Sequence, residues 1–390
     1  MVWQIIHIVD IIIWILLAAS VLYVAFFAIA SLFSRHSPTN TEHSSNDNKK
    51  CSFLVLFPAY NEDKVIVSSV KAFLQQTYNR SLYDVAVISD HMTAETNATL
   101  ETMPITLLRP TFEKSSKAKA MQFAVNSIQK EYDKVVILDA DNIVSSDFLE
   151  QLNTICQQGY SAIQCHRCAK NNNNDIAALD GVSEEINNTI FRKAHNTIGL
   201  SSALIGSGMC FDFKWFASNV HHLSTAGEDR ELEALLMKQK IFIKYAAHIH
   251  VLDEKVSNSD NFQRQRLRWM TAQVQSLLYM LPYIPKAIAT CNINYIDKTF
   301  QQAMVPRSIS LVVIFIMAVL MLAVNPLWSL KWWILFAILI LSLTIAIPSR
   351  LRKASIFNKP LLLCRLTFKM ICNVKHIEKN NNDFLHTNHG

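Results

Sequence analysis

Two acidic residues directly after an apolar run are the first candidates for chemistry in this sequence. Residues 135–138 predict a short strand, and Asp139 and Asp141 follow it with one residue between them. Residues two positions apart in an extended chain point to the same face, so both carboxylates can approach one ion. Carboxylate oxygens are the ligands that hard divalent cations such as Mg²⁺ or Mn²⁺ prefer. The pair indicates a metal site; a solvated turn is the alternative, because aspartate often ends a strand.

Polar residues also end two earlier apolar runs. Pro58, Tyr60 and Glu62 belong to the segment PAYNE, and Asp90 ends the segment VISD. A carboxylate at the end of a strand can accept hydrogen bonds from a nucleobase or ribose, and PAYNE would line the same crevice. Each feature alone is also typical of an ordinary turn.

A basic cluster opens a predicted helix in the segment KSSKAKAM, residues 114–121. Lys117 lies near the helix start, where a cation and the helix N-terminus both favour a bound phosphate. A solvated basic turn is the alternative.

The segment GEDREL, residues 227–232, also begins a predicted helix. Acids in a first turn often act only as caps or as partners of the helix dipole. The functional alternative is a general base that takes a proton from an acceptor hydroxyl. Adjacent helical residues point about 100° apart, so only one of Glu228 and Asp229 should face a crevice.

The segment QRLRW carries a possible binding face on a helix. Gln265, Arg268 and Trp269 are spaced i, i+3 and i+4, so they share one face while Arg266 points elsewhere. Arginine and glutamine can bind phosphate oxygens, and an indole can stack on a sugar ring. A helix at a membrane surface with a tryptophan anchor is the alternative.

Cysteine usage and charge argue against two classes of site. Cys165 and Cys168, even with His166 between them, lack the second ligand pair of a structural zinc site, so we expect no zinc. The net charge is +6, but no basic run with interleaved aromatic residues indicates nucleic acid. A membrane surface and an anionic ligand explain the charge better.

Alternating elements would bring these polar segments together. Apolar β-type runs at 53–57, 85–88 and 135–138 alternate with helical patterns at 65–76 and 118–129. This alternation predicts an α/β domain with a mostly parallel sheet. In such a sheet, ligands bind beyond the carboxyl ends of the strands, where the polar segments lie.

Three apolar stretches are long enough to span a membrane, at residues 11–33, 311–328 and 332–348. Residues 1–10 contain no lysine or arginine, so we expect an uncleaved anchor rather than a signal peptide. Basic residues flank the spans on the side of the central region, whereas the hairpin offers only Lys331. The central region and the tail should therefore face the cytosol. We expect residues 262–288 to form helices at the membrane surface.

Taken in order, the segments PAYNE, VISD, LDAD, LIGSGMCF, GEDREL and QRLRW resemble the membrane-bound family 2 glycosyltransferases, which include cellulose, chitin and hyaluronan synthases. The resemblance covers about residues 51–280. It implies a GT-A fold and an inverting, single-displacement reaction. Two departures stand out: Ser116 lies where relatives commonly carry glycine, and fewer spans follow QRLRW than in the large cellulose synthases.

The resemblance also implies a role for each matching residue. The donor and its nucleotide would be bound by Pro58, Tyr60, Glu62, Asp90, Lys117, Asp139, Gln265 and Arg268, with Asp90 on the uridine. Asp139 and Asp141 would hold Mg²⁺ or Mn²⁺, and Asp229 would be the catalytic base. The acceptor would lie beside Gly206, Ser207, Gly208, Glu228 and Trp269.

These features predict six segments. They are an N-terminal anchor (1–35), a linker (36–50), a GT-A domain (51–254), the QRLRW and interfacial helices (255–305), a transmembrane hairpin (306–349) and an amphipathic tail (350–390).

The predicted function is transfer of a sugar from a UDP-sugar, of the UDP-GlcNAc or UDP-Glc type, onto a growing polysaccharide or lipid-linked glycan. We expect a multi-pass protein of the cell membrane with a cytosolic catalytic domain, which leaves room for partners in envelope-glycan assembly. Within this class, an enzyme that adds a single sugar is the alternative. From another class, the alternative is a membrane scaffold or binding subunit without turnover.

Overall fold

A computed structural model describes residues 2–33, 50–171, 174–225, 227–256 and 258–352. Almost all of the predicted linker (36–50) and tail (350–390) lies outside these residues.

Eight strands form one mixed sheet in the order β3-β2-β1-β4-β7-β6-β8-β5. The strands are β1 (Phe53–Tyr60), β2 (Tyr83–Asp90), β3 (Thr106–Leu108), β4 (Lys134–Ile137), β5 (Ile143–Val144), β6 (Ala162–Ala169), β7 (Met209–Asp212) and β8 (Ile243–Asp253). The pairs β1–β2, β2–β3, β1–β4 and β6–β8 are parallel, and β4–β7, β6–β7 and β5–β8 are antiparallel. The predicted α/β architecture with a mostly parallel mixed sheet is confirmed.

The central strands are apolar on both faces because helices cover both. In β1, Phe53, Val55 and Phe57 lie in one buried core cluster, while Leu54 and Leu56 lie in another on the opposite face. Continuous apolar runs are typical of strands that are buried on both sides. The polar side chains of the sheet are therefore concentrated where the strands end.

The helices follow the strands in the expected alternation. They are α1 (Val2–Ala30), α2 (Ile66–Phe73), α3 (Ala94–Glu101), α4 (Lys117–Ser127), α5 (Phe148–Cys156), α6 (Asp175–Asn187), α7 (His195–Thr197), α8 (Phe213–Asn219), α9 (Glu228–Lys238), α10 (Ser259–Met280), α11 (Ile284–Ala289), α12 (Ile293–Ala303), α13 (Arg307–Val324), α14 (Pro326–Ala346) and α15 (Ser349–Arg352). Short 3₁₀ segments span Ser31–Phe33, Arg80–Leu82, Val220–His222 and Leu281–Tyr283, and a π-helix spans Asn188–Ala194.

Three helical segments are long and apolar enough to cross a membrane: Trp3–Leu32, Arg307–Val324 and Pro326–Ala346. The first begins well before the predicted residue 11, because Asp10 does not interrupt it. Asp10 is buried, pairs with Lys331 and accepts a 2.8 Å hydrogen bond from Trp332 Nε1. A partnered carboxylate is tolerated inside an apolar helix, where an isolated one would be costly.

The candidate spans are attached to the α/β domain by a shared core. Side chains of α1, α13 and α14 pack with Val182 and Ile186 of α6 and with Ile190 of the π-helix. On the other side, α10 to α12 contribute Met280, Ala287 and Tyr295 to the core of the α/β domain. Helix α6 and the π-helix therefore lie between the sheet and the candidate spans.

Candidate active site

A cavity of about 960 Å³ lies beyond the carboxyl ends of β1, β2 and β4. Its lining includes most of the predicted site residues: Pro58, Tyr60, Glu62, Asp90, Lys117, Asp139, Asp141, Gly206, Glu228, Asp229, Gln265, Arg268 and Trp269. These residues therefore share one crevice, although they come from five elements and the loops beside them.

Ser207 and Gly208 do not line this cavity. Ser207 is fully buried, and Gly208 adopts a left-handed backbone conformation with φ +62°. A Cβ at Gly208 would lie 2.9 Å from Val251 Cγ2 and 3.3 Å from Cys165 Cβ, so only glycine fits there. The position of both residues supports a structural role: they fix the loop whose Gly206 reaches the cavity.

The end of β1 and the end of β2 form one wall. Tyr60 pairs in register with Asp90, and the backbone N–H of Asn61 donates a 3.2 Å hydrogen bond to the Asp90 carbonyl. His91 Nδ1 lies 2.6 Å from Asp90 Oδ1, and its ring packs 5.4 Å from that of Tyr60. His91, which the sequence analysis left unassigned, therefore orients the predicted nucleotide-binding carboxylate.

Asp139 and Asp141 present oxygen donors to the cavity directly after β4. Asp141 is nearly buried and accepts a 2.7 Å hydrogen bond from the Glu254 N–H and a 3.2 Å bond from Asn142 Nδ2. Carboxylate oxygens accept more than one bond each, so this side chain is oriented without being blocked. Mg²⁺ and Mn²⁺ sites commonly combine one or two carboxylates with substrate phosphates, so the pair fits such an ion.

Lys117, at the start of α4, connects Asp139 to the opposite wall of the cavity. Its ammonium pairs with Asp139, donates a 2.7 Å hydrogen bond to the Gly206 carbonyl and lies 3.7 Å from Glu228 Oε1. Burial disfavours the charge, but Asp139 and Glu228 outweigh it and raise the pKa of Lys117. The lysine stays charged at the centre of the site, where a phosphate would meet it.

Glu228 and Asp229 both face the cavity, which differs from the prediction that only one would. A Cβ placed on Gly206 would lie 3.8 Å from Asp229 Oδ2 and 3.9 Å from Glu228 Oε1. The two positions differ in angle, but Glu228 has an extra methylene and reaches back to Lys117. Burial raises the pKa of Glu228 to about 7, with Lys117 opposing the shift and Asp229 adding to it.

Helix α10 covers the cavity with Gln265, Arg268 and Trp269 on its lining face, as predicted. Arg266 lines the cavity as well, contrary to the prediction that it points elsewhere. Its guanidinium pairs with Asp180 of α6 and lies 4.4 Å from the Trp269 ring centre. The prediction considered only the angular position of Arg266 on the helix, but a long flexible side chain can bend around the helix and reach the cavity.

The structure adds cationic residues that sequence reasoning missed: Arg167, Arg192 and Arg307 also line the cavity. Arg192 lies in the π-helix and Arg307 begins α13. Arg307 directly precedes an apolar run, whereas Arg167 and Arg192 lie among other polar residues, so the local sequence offers no signal for those two.

His166 and Cys168 gather with His250 rather than with Cys165. The ligand atoms of the three residues lie within 4.8 Å of one another, because β6 shifts register against β8 and sets His166 opposite His250. The two ring nitrogens of His166 already lie 2.5 Å from Tyr245 Oη and 3.3 Å from Glu185 Oε1. Cys165 instead packs in the core of the sheet.

Comparisons with known proteins agree with this geometry. A family profile described as Glycosyltransferase like family 2 matches residues 51–272. The structure resembles that of the mannosyltransferase PcManGT from Pyrobaculum calidifontis in complex with GDP-Man and Mn²⁺, with a TM-score of 0.53 and 17% identity, over 85% of this chain and 96% of the other. It also matches S. aureus TarS 1-349, with a TM-score of 0.43 and 14% identity, over 84% and 90% of the two chains. No curated protein sequence matches. The predicted GT-A fold is confirmed, and the chain belongs to the glycosyltransferase-like family 2.

Proposed function

We propose that the protein transfers a sugar from a UDP-sugar, of the UDP-GlcNAc or UDP-Glc type, onto a growing polysaccharide or lipid-linked glycan at a membrane. One observation carries the proposal: a single cavity joins Asp90, the pair Asp139 and Asp141, and the acids Glu228 and Asp229. Such a transfer needs a carboxylate that binds the nucleotide, a pair of carboxylates that hold a metal ion, and a base.

On the donor side, Asp90 would bind the uridine beside Tyr60, and Lys117 and Arg268 would contact the diphosphate. Asp139 and Asp141 would hold Mg²⁺ or Mn²⁺, which when bound neutralises the charge of the departing diphosphate. The Mn²⁺ in the complex of the Pyrobaculum mannosyltransferase supports a divalent ion.

On the acceptor side, Asp229 would act as the base. The acceptor hydroxyl oxygen forms a bond to the anomeric carbon while its proton passes to the Asp229 carboxylate. The bond from the anomeric carbon to the diphosphate breaks, and its electron pair leaves with UDP. Attack from the side opposite the leaving group inverts the anomeric configuration. Trp269 would stack on the acceptor sugar, which Gly206 allows to approach closely.

The candidate spans would place this reaction at the cell membrane, with the α/β domain in the cytosol and other glycan-assembly proteins as neighbours. The basic residues around the spans support this orientation.

A panel of UDP-sugars tests the function. We expect the full-length protein in detergent or nanodiscs to release UDP from one donor only when an acceptor and Mn²⁺ or Mg²⁺ are present. Sizing the product separates a polymer from a single addition. Donor binding without UDP release under any acceptor would instead favour a scaffold or binding subunit.

A further inference from the structure

The cavity does not end at the predicted acceptor residues but continues between the two C-terminal candidate spans. Its lining there is apolar and comes from Leu311 and Phe315 of α13 and from Phe336, Ile340 and Leu343 of α14. At a rise of 1.5 Å per residue, the stretch from Arg307 to Phe315 covers about 12 Å along α13. A hydrocarbon core is about 30 Å thick, so this apolar arm would reach more than a third of the way through it.

Two apolar residues that line the arm remain accessible on the candidate spans. Phe315 is 45% exposed and Ile340 is 40% exposed, although both line the cavity. An apolar groove of this kind favours a hydrocarbon chain, whereas a carbohydrate chain would leave its hydroxyls without partners.

Cationic side chains gather where the arm joins the catalytic end. Arg167, Arg192 and Lys255 all pair with Glu184, at 3.0, 3.2 and 3.8 Å. Arg167 and Lys255 also approach Asp253, and Arg266 pairs with Asp180. Burial opposes ionisation of Glu184, but Arg167 and Lys255 outweigh it and lower its pKa to about 2. Four cations thus pair with only three carboxylates, which are Glu184, Asp253 and Asp180. Arg307 adds a fifth cation at this junction.

Arg307 carries unused donor capacity at this junction. Its Nη2 donates a 2.7 Å hydrogen bond to Asn187 Oδ1, but its Nη1 is buried and has no hydrogen-bond partner among the described residues. Arg266 Nε is in the same situation within that part of the chain. Buried guanidinium donors are normally paired, and phosphate oxygens accept them well.

We propose that the apolar arm binds the hydrocarbon chain of a lipid-linked acceptor and that Arg307, with Arg266 beside it, binds the phosphate of that lipid. This inference rests on the proposed function, and it selects a lipid-linked glycan over a free polysaccharide as the acceptor. The positive charge at the junction and the apolar lining of the arm favour the same occupant. This occupant is a phosphate ester with its apolar chain in the bilayer and its sugar near Trp269. The donor diphosphate would be bound by other cations, Lys117 and Arg268, of which Lys117 lies beside Asp139 and Glu228.

Direct binding tests the inference without requiring turnover. Radiolabelled geranylgeranyl phosphate and geranylgeraniol, which differ only in the phosphate, are titrated against the full-length protein in phosphatidylcholine nanodiscs. We expect the phosphate ester to bind at least about tenfold more tightly, since a charge-assisted hydrogen bond exceeds the free energy of a tenfold change. Arg307→Gln should remove most of this preference and Arg307→Lys should keep part of it. Arg264→Gln, an exposed arginine on α10, should bind as the wild type does.

A second pair of variants tests the apolar arm. Ile340→Trp should fill the arm and weaken binding of both lipids by about tenfold, an effect of the size expected when a well-packed site is overfilled. Leu341→Trp is the matched control, because this neighbour is exposed and does not line the cavity. Thermal unfolding of each variant shows whether it has folded.

Three results would overturn the inference: equal binding of the two lipids, an Arg307→Gln variant that keeps the preference, or displacement by phosphatidylglycerol vesicles as effective as by geranylgeranyl phosphate. The last result would identify a site for bilayer phospholipids. Lipid binding does not require turnover, so Asp229→Asn should bind the phosphate ester normally. If the wild-type protein binds the phosphate ester but releases no UDP with any donor and acceptor, the inference stands while the proposed function fails.

Discussion

The ammonium of Lys117 lies 3.7 Å from Glu228 Oε1, across the cavity that separates α4 from α9. The same ammonium pairs with Asp139. One cation, with a side chain only 14% exposed, thus connects Asp139 after β4 to the acids that begin α9. It would set the charge balance for a donor phosphate and a base.

Replacing Glu228 by glutamine should flatten the dependence of stability on pH. The pKa of Glu228 is raised from 4.5 to about 7, so between these values the native state holds a proton that the unfolded state has lost. The free energy of unfolding of the wild type therefore falls as pH rises through this window, by at most about 3 kcal/mol. We expect the stability of Glu228→Gln relative to the wild type, measured by thermal unfolding, to be higher at about pH 8 than at about pH 5.

The exposed Glu113→Gln is the control for this measurement and should follow the wild type at both pH values. A Glu228→Gln variant with the same pH dependence as the wild type would show that burial does not hold the proton on this carboxyl group.

Asp139→Asn or Asp141→Asn should abolish sugar transfer, because a neutral amide is a poor ligand for a hard divalent cation. Calorimetry in the presence of UDP should show a lower affinity for Mn²⁺ in each variant, and the rate of UDP release should fall as well. Asp147→Asn, an exposed residue outside the cavity, should change neither. Full activity of both cavity variants, or of the wild type with excess chelator, would rule out the metal assignment.

Trp269→Ala should raise the KM for the acceptor more than the Kd for the donor, since its indole is proposed to stack on the acceptor sugar. Trp215→Ala removes an indole outside the cavity and should spare both quantities. A variant whose donor affinity collapses while its acceptor kinetics stay normal contradicts the assignment. Loss of membrane retention alone would identify Trp269 as an interfacial anchor.

Gly208→Ala should destabilise the protein more than Gly159→Ala does. Both glycines have left-handed backbones, with φ +62° and +85°, so each substitution costs about 1 kcal/mol of strain. A Cβ at Gly159 would meet nothing within 4 Å, whereas one at Gly208 would lie 2.9 Å from Val251. Overpacking adds about 1–3 kcal/mol at Gly208. Equal unfolding free energies for the two variants would contradict this tight packing.

Local patterns were sufficient to predict that the residues proposed to bind the donor lie in one cavity. Asp90, Asp139 and Asp141 end strands, and parallel strands bring their carboxyl ends together, so short-range order determines their placement. The family resemblance pointed to Asp229 and to the QRLRW helix, both of which line the cavity, and the apolar runs predicted the three candidate spans.

The remaining features depend on contacts between distant segments. Asp10 is tolerated in α1 because Trp332 and Lys331 partner it from the other end of the chain. His250 joins His166 only through a register shift between two strands. Arg307 begins α13 and donates a hydrogen bond to Asn187 at the end of α6, a contact that no periodicity within either segment reveals.

The most direct test of the central claim is the turnover of Asp229→Asn compared with that of Glu228→Gln, each measured as UDP release at saturating donor and acceptor with UDP affinity determined in parallel. A sugar hydroxyl is a poor nucleophile until its proton leaves, and removal of a general base typically lowers the rate by about a hundredfold to ten-thousandfold. We predict that Asp229→Asn folds, binds UDP as the wild type does and loses turnover by that factor, while Glu228→Gln keeps more of it. Normal turnover in Asp229→Asn with an inactive Glu228→Gln would transfer the role to Glu228, and normal turnover in both would contradict a catalytic role for the start of α9.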